Sequence, residues 1–562
     1  GDAASLVWNG GAGSAWDLNA TTNWLNGATP STFFNLDAVR LDDTAANGTI
    51  TIEGAVQPAS VTVTNNIRAY ILGGGALSGP CSLLKSGSAQ LTLTATNTHS
   101  GGTIIRGGAV VLANDAANAY ALGSGAVTLQ GGTLTMYDNA NTYNAASWNL
   151  HVPAGAIGRL NTDKRCYLYG SLTGGGTLNL YTAYVRTELA GDWSAFTGRI
   201  NVLTDSDGGD FRVNNTAGYA RTALSLSPKV WAYHLTGKTI AVGELSGAAG
   251  SALSAAQWVV GALGTDAAFT GAVSGASSVT KTGAGAWTLA GPSTHTGETV
   301  VEAGTLRFAA TASLTNENTL TVRNGATLDL QGASLQLDSL SVLEGGLLTG
   351  HATLDGDWFN AGAASVTGRM TVLGNIENSG ALALSGTLAS PNPIVLAAGA
   401  LTVAPGGALD PACSLTIASG ASLNLGDTAQ TVAGLNGNGL VSNGALTVSG
   451  SLAPGGAGGV GTLSVAAALT LSGVLDIDIA ADGICDLLDG RGALNLADAA
   501  LHVRNAANLA PNRRTIIARF APGALTGTFA SANIDPARWS VHYDQTSGAV
   551  RLVRLGLVFM AK

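Results

Sequence analysis

Three groups of residues in this 562-residue chain have the types and spacing to do chemistry. In LTDSDGGDF (203–211), Asp205, Asp207 and Asp210 surround two glycines. Hard cations such as calcium take clustered carboxylate oxygens on a flexible turn, so these three are candidate calcium ligands. The EF-hand spacing is not met, because the twelfth position from Asp205 is Thr216. The simpler reading is an acidic surface turn. In VLDIDIA (474–480), Asp476 and Asp478 stand two residues apart. Period two sets both on one face of a strand, about 7 Å apart, opposite Leu475, Ile477 and Ile479. Paired carboxylates can carry acid–base work on sugars. No Arg or Lys cluster accompanies the pair in sequence, so an outward polar face is expected and no catalytic residue is assigned. The third group is aromatic. Tyr137, Tyr143, Trp148, Tyr167, Tyr169, Tyr181 and Tyr184 crowd into 137–184. An exposed stripe there would suit a carbohydrate; packing beneath a loop is the alternative.

Other chemistry finds little support. The seven histidines are scattered without HExxH. Cys81, Cys166, Cys413 and Cys485 are isolated, without zinc spacing, and read as small buried residues. One or two disulfides would be compatible with an oxidising compartment, and the sequence does not choose a pairing. The glycine-rich GGGALSG (73–79) and APGGAGG (453–459) do not sit between a strand and a helix, as a phosphate cradle requires. The net charge of −9 and the lack of a basic run argue against nucleic acid. No stretch of 18 apolar residues is present, so no membrane-spanning helix is expected.

The elements that must position these residues are strands. The chain has 78 Gly and only 11% charged residues, with long runs of Ala, Ser, Thr, Val and Leu. A unit of Gly, small residue, Leu, polar, apolar recurs as GGTLNL (175–180), GATLDL (325–330) and GASLNL (420–425). Alternation such as Leu328, Asp329, Leu330 has period two and buries one face of a strand. The glycine before it allows the positive φ of a sharp corner. A longer repeat aligns residues 85–112 with 281–308 without a gap. It matches Lys85 to Lys281, Gly87 to Gly283, His99 to His295 and Gly101 to Gly297. Strand, corner, strand, corner without intervening helices describes an all-β parallel β-helix. Rungs about 4.8 Å apart, each of roughly 20–25 residues, predict about 25 rungs. Residues 1–80, with Trp8, Trp16 and Trp24, read as an N-terminal cap, 81–480 as the solenoid, and 481–562 as a C-terminal cap or assembly region.

The two long repeats closely resemble the autotransporter-associated β-strand repeat of bacterial secreted and surface proteins. WNGGAGSAWDLNATTNWLNG (8–27), SLAPGGAGGVGTLSVAAALTLSGVLDIDI (451–479) and WSVHYDQTSGAVRLV (539–553) resemble other parts of such proteins. The resemblance implies an extracellular right-handed β-helix and carries no catalytic residues. A translocator barrel and a sorting anchor, both common in relatives, are not recognised here.

These readings predict a non-enzymatic protein outside the cell or on its surface, a signal peptide having been removed. The expected role is a structural rod that self-associates into a filament, sheath or surface layer. The apolar tail, with Leu555, Leu557, Val558 and Phe559, would add to a neighbour's sheet. The alternative is a surface adhesin that binds polysaccharide; the least favoured is a polysaccharide-active enzyme using Asp476 and Asp478. No cofactor is expected, calcium at Asp205, Asp207 and Asp210 aside.

Overall fold

The structure is a computed structural model and describes residues 2–555 apart from 138–143, 163–164, 184–186, 217, 234, 316–317, 457 and 512. It is a parallel β-solenoid of about 21 turns, all-β except, among the described residues, for one short α-helix and a single 3-10 turn. The chain forms two compact units, Gly1–Gly297 and Glu298–Lys562.

The first unit opens with aromatic packing. The strand Ser5–Trp8 pairs antiparallel with Trp24–Asn26, which pairs antiparallel with Thr29–Ser31. Trp24 meets Trp8 and Trp16 edge-on at 5.0 Å between ring centroids, and Phe33 meets Trp16 at 5.3 Å. All four are buried. The other edge of Ser5–Trp8 starts the parallel ladder: Leu6 faces Val39, Val39 faces Val61, and Val61 faces Leu83. All four point inward and are buried, so one column of apolar side chains runs through successive rungs. The helix Asp115–Tyr120 interrupts one rung, capped by the Asn114 side chain, which accepts from the Ala117 amide.

In the second unit several strands run through corners without ending. Ala326–Val342 pairs with Leu347–Asn360 along its whole length, with register breaks between Gln331 and Ala333 and between Gln336 and Ser339. Gly332 takes a φ of +93° at the first break, a conformation that costs an L side chain and not glycine. The expected Gly-units behave as read: Leu328, Leu330, Leu423 and Leu425 point into the core at 0–1% exposure. Parallel pairing continues past Val474–Asp478 to Ala500–Arg504 and Ser531–Ala532. The hairpin of Trp539–Asp544 and Ala549–Arg554 then pairs antiparallel onto Arg514–Arg519.

There are fewer turns than the roughly 25 that uniform short rungs predict, because rung length is not constant. Sixteen residues separate Leu348 from its partner Ala364. Thirty-one separate Leu494 from Leu525. The rungs stay in parallel register while the loops between strands vary, so the fold tolerates insertions at corners without disturbing the ladder.

Candidate functional site

In the first unit, the strands Cys166–Leu168, Thr187–Leu189, Gly209–Val213 and Val230–Ala232 stack in parallel in that order. Alternate residues Cys166, Leu168, Leu189, Phe211, Val213 and Ala232 fill the core. The residues between them face outward, and the register aligns Tyr167 with Glu188 and Glu188 with Arg212. Asp210 aligns with Trp231. Tyr233 takes the next rung above Arg212, its amide donating to the Phe211 carbonyl at 3.4 Å.

Two aromatic pairs bracket a charged centre on this face. Tyr167 stacks on Tyr169 at 5.7 Å, and Trp231 on Tyr233 at 5.9 Å. Three rung steps between them make about 14 Å. In the centre, Arg212 Nη2 donates to Asp210 Oδ2 at 2.9 Å, and its Nη1 lies 3.6 Å from Glu188 Oε1. Asn214 donates to Glu188 Oε2 at 2.7 Å, and Lys238 donates to Asn214 Oδ1. Glu188, Asp210 and Arg212 are each only 8–9% exposed. Buried charges persist only where partners and hydrogen bonds compensate them, which fixes these side chains in one arrangement. Burial raises the Tyr167 hydroxyl above its ordinary range, and the Glu188 charge adds to it. Burial does the same at Tyr233, with Asp210 second.

Beside this face, the Arg159 guanidinium lies 3.5 Å over the Tyr181 ring. It also donates to Asp205 at 2.9 Å and to Asn161 at 2.7 Å. Asn161, Tyr181, Thr182, Ala183, Asp205 and Ser206 line a concavity of about 270 Å³.

The candidate calcium ligands are drawn apart. Asp205 pairs with Arg159, Asp207 with Lys229 at 3.4 Å, and Asp210 with Arg212. Among the described residues no three His, Cys, Asp or Glu side chains are placed to share a metal ion. Of the aromatic group, Tyr167, Tyr169 and Tyr181 come to the surface near the charged centre. Trp148 does not; it is 7% exposed and its indole donates to the Asn118 carbonyl. Tyr137 is exposed. Tyr143 and Tyr184 lie outside the described residues.

In the second unit Asp476 gains basic partners that its sequence neighbourhood lacks. His502 and Arg504 stand on the next rung, aligned with Asp476 and Asp478. Asp476 Oδ1 is 2.5 Å from His502 Nδ1 and 3.5 Å from Arg504 Nη2, and Oδ2 accepts from Ser451 at 3.0 Å. Asp478 is 5% exposed and accepts from the Gly458 amide. Asp486, 1% exposed, accepts from the amides of Gly461 and Asp478. Burial pushes its carboxyl up to about 6.

The repeat positions are internal. His99 is fully buried, with Nε2 3.1 Å from the Thr103 hydroxyl. Lys85 and Lys281 are also fully buried. Lys85 donates to the carbonyls of Gly87 and Gly107, and Lys281 to those of Thr282 and Gly283. Burial lowers both ammonium groups to about 8 and the His295 imidazole to about 4. The four cysteines are free thiols, and all but the half-buried Cys485 are buried. Of the tail, Leu555 is exposed and its amide donates to the Arg538 carbonyl. Leu557, Val558 and Phe559 lie outside the described residues.

Sequence reasoning missed Glu188, Arg212, Trp231 and Tyr233 because they join the face only through stacking. The matched Lys85 and Lys281 were legible as a repeated cation; their burial was not.

The class of protein this fold defines is a parallel β-solenoid. The family model described as the passenger-associated-transport-repeat matches residues 83–112 and 279–308, so the chain carries two copies of that repeat. The crystal structure of the Haemophilus influenzae Hap adhesin is similar at 13% identity, over 95% of this chain and 66% of that chain, with a TM-score of 0.28. The chain thus spans just under two thirds of that protein's length. No curated protein matches. Among the described residues, no helix is long and apolar enough to cross a membrane.

Proposed function

We propose that the chain is a β-helical passenger of a secreted or cell-surface protein, exported with removal of a signal peptide, and that it acts adhesively by binding carbohydrate. The transport repeats support the export. The observation that carries the binding is the face on which stacked Tyr167–Tyr169 and Trp231–Tyr233 bracket the buried Glu188–Arg212–Asp210 centre. Aromatic rings offer flat apolar platforms at low entropic cost, and charges locked beside them offer directed hydrogen bonds. The adhesive reading is preferred to tail-driven filaments. The one described tail residue, Leu555, bonds to its own chain at Arg538.

A glycan array with the purified chain tests this. A signal on some glycans, lost in the Tyr167→Ala/Trp231→Ala double variant with the thermal melt unchanged, supports the proposal. If no glycan loses its signal in the double variant, this face is removed from the function, and silence on every glycan removes carbohydrate.

A further inference from the structure

A second concave surface lies in the second unit, apart from the aromatic face. One outward column of the ladder there carries only small side chains. Ser414 aligns with Gly434, Gly434 with Ser451, Ser451 with Val474, Val474 with Ala500, and Ala500 with Ser531. Five rung steps make a floor of about 24 Å. Along its side stand longer polar groups: Asn436, Asp476, His502 and Arg504. Two concavities lie end to end on this floor. One, of about 250 Å³, runs from Ser414 and Gly434 to Asp476, Asp478 and Arg504. The other, of about 510 Å³, runs from Ser451 and Asp476 to Ser531 and Asn533. They share Ser451, Asp476 and Arg504 and so form one trough.

The chemistry narrows the occupant. The floor strands as far as Ala500–Arg504 are hydrogen-bonded to neighbours on both sides, so along them no sheet edge is free for a peptide strand to extend; Ser531–Ala532 pairs on one side and offers only two residues. No Phe, Tyr or Trp lines either half, and the one long apolar residue in the lining, Leu501, is turned into the core at 2% exposure, so little anchors a hydrophobic group. Asp476 and Arg504 neutralise one another at 3.5 Å, so a single ionic group gains little. Hydrogen-bonding capacity remains. Arg504 Nε is buried and has no partner among the described residues. The His502 ring is half-exposed beyond its contact with Asp476. A buried donor without an acceptor costs free energy until something supplies one.

We propose that this trough binds a linear, uncharged, hydroxyl-rich chain, a neutral glycan strand lying across successive rungs. Asn436, Asp476, His502 and Arg504 hydrogen-bond its hydroxyls, and the small-residue floor gives it room. Asp476 also positions His502 and Arg504 by holding both. A small-residue floor that runs on across successive rungs, with polar groups beside it on several of them, matches a linear polymer better than a compact ligand.

The test is calorimetric titration of the whole chain with cellohexaose, xylohexaose, maltohexaose and laminarihexaose, with hexagalacturonate and hexameric glucosamine as charged probes. Two variants address the trough. Ala500→Trp fills the floor from an outward-facing position, and Arg504→Ala removes the side's cation. Each is expected to weaken the best neutral hexamer about tenfold or more, with an unchanged thermal melt. The Tyr167→Ala/Trp231→Ala variant is expected to leave this titration component in place, which separates the trough from the aromatic face. The proposal is overturned if no neutral hexamer binds at millimolar concentration, if a charged hexamer binds most tightly, or if both trough variants bind as the parent does.

Discussion

The outward face of the first unit and the trough of the second are built on the same scaffold and hold opposite contents. In the first, large rings and three buried charges stand on consecutive rungs. In the second, consecutive rungs present Gly434, Ser451, Val474 and Ala500. The inward columns of both are alike in being apolar and buried. The comparison teaches that the parallel ladder fixes spacing and leaves the outward columns free to vary. What a face recognises is then set by which residue types the rungs bring into line.

The strongest way to break the comparison is to break the shared scaffold. Gly283 takes a φ of +70°, and a Cβ there would meet the Gly261 carbonyl oxygen at 1.9 Å. The matched Gly87 approaches the Asn65 oxygen equally closely. Gly283→Val combines backbone strain with a backbone clash and is expected to cost on the order of 4 kcal/mol or prevent folding of its rung. Urea denaturation followed by circular dichroism measures it, and a midpoint equal to the parent's would refute the steric argument.

Arg212→Ala separates the faces themselves. It leaves Glu188 and Asp210 buried without their common cation, for a loss of about 3 kcal/mol or more. Arg504→Ala in the trough, where the side chain is half-exposed, is expected to cost under about 1 kcal/mol. Equal losses in the two variants, read from the same denaturation curves, would contradict the burial difference.

Acid should sharpen the contrast between units. Burial lowers His295 from its ordinary 6.5 to about 4, and lowers His99 in the same direction. Between those values the unfolded chain takes up a proton that the folded chain refuses. Stability is therefore intact above pH 6.5 and falls as the pH drops toward 4, on the order of 3 kcal/mol for His295. Asp486 has the opposite sign. Its carboxyl rises from 3.8 to about 6, so the folded state holds a proton that the unfolded state has lost, and acidification across that window stabilises it. Denaturation midpoints at pH 7 and 4.5 should fall in the parent, fall less in His295→Phe, and fall more in Asp486→Asn. A fall of the same size in all three would exclude these groups as the cause.

The smallest expected effect concerns calcium. Asp205, Asp207 and Asp210 each engage a different cation, so millimolar calcium and its chelator should give the same melting temperature. A clear rise with calcium would mean that the three carboxylates leave Arg159, Lys229 and Arg212 to share an ion.

Much of the fold was legible in the residues alone. The alternation in GATLDL and GASLNL determined that Leu328, Leu330, Leu423 and Leu425 face inward, because side chains on a strand alternate with period two whatever surrounds them. The gapless match of 85–112 with 281–308 determined two equivalent rungs, since matched Gly, Lys and His positions demand matched corners. The polar partners were decided only by the tertiary structure. Asp476 meets His502 across 26 residues. Twenty-one separate Tyr167 from Glu188 and twenty-four separate Glu188 from Arg212. In a solenoid the neighbour on the next rung lies one rung length away, and that length varies with each loop: sixteen residues at Leu348 and thirty-one at Leu494, for instance. Local periodicity says which side of the wall a residue takes. Which residues stand above and below it depends on loop lengths that leave no period in the sequence.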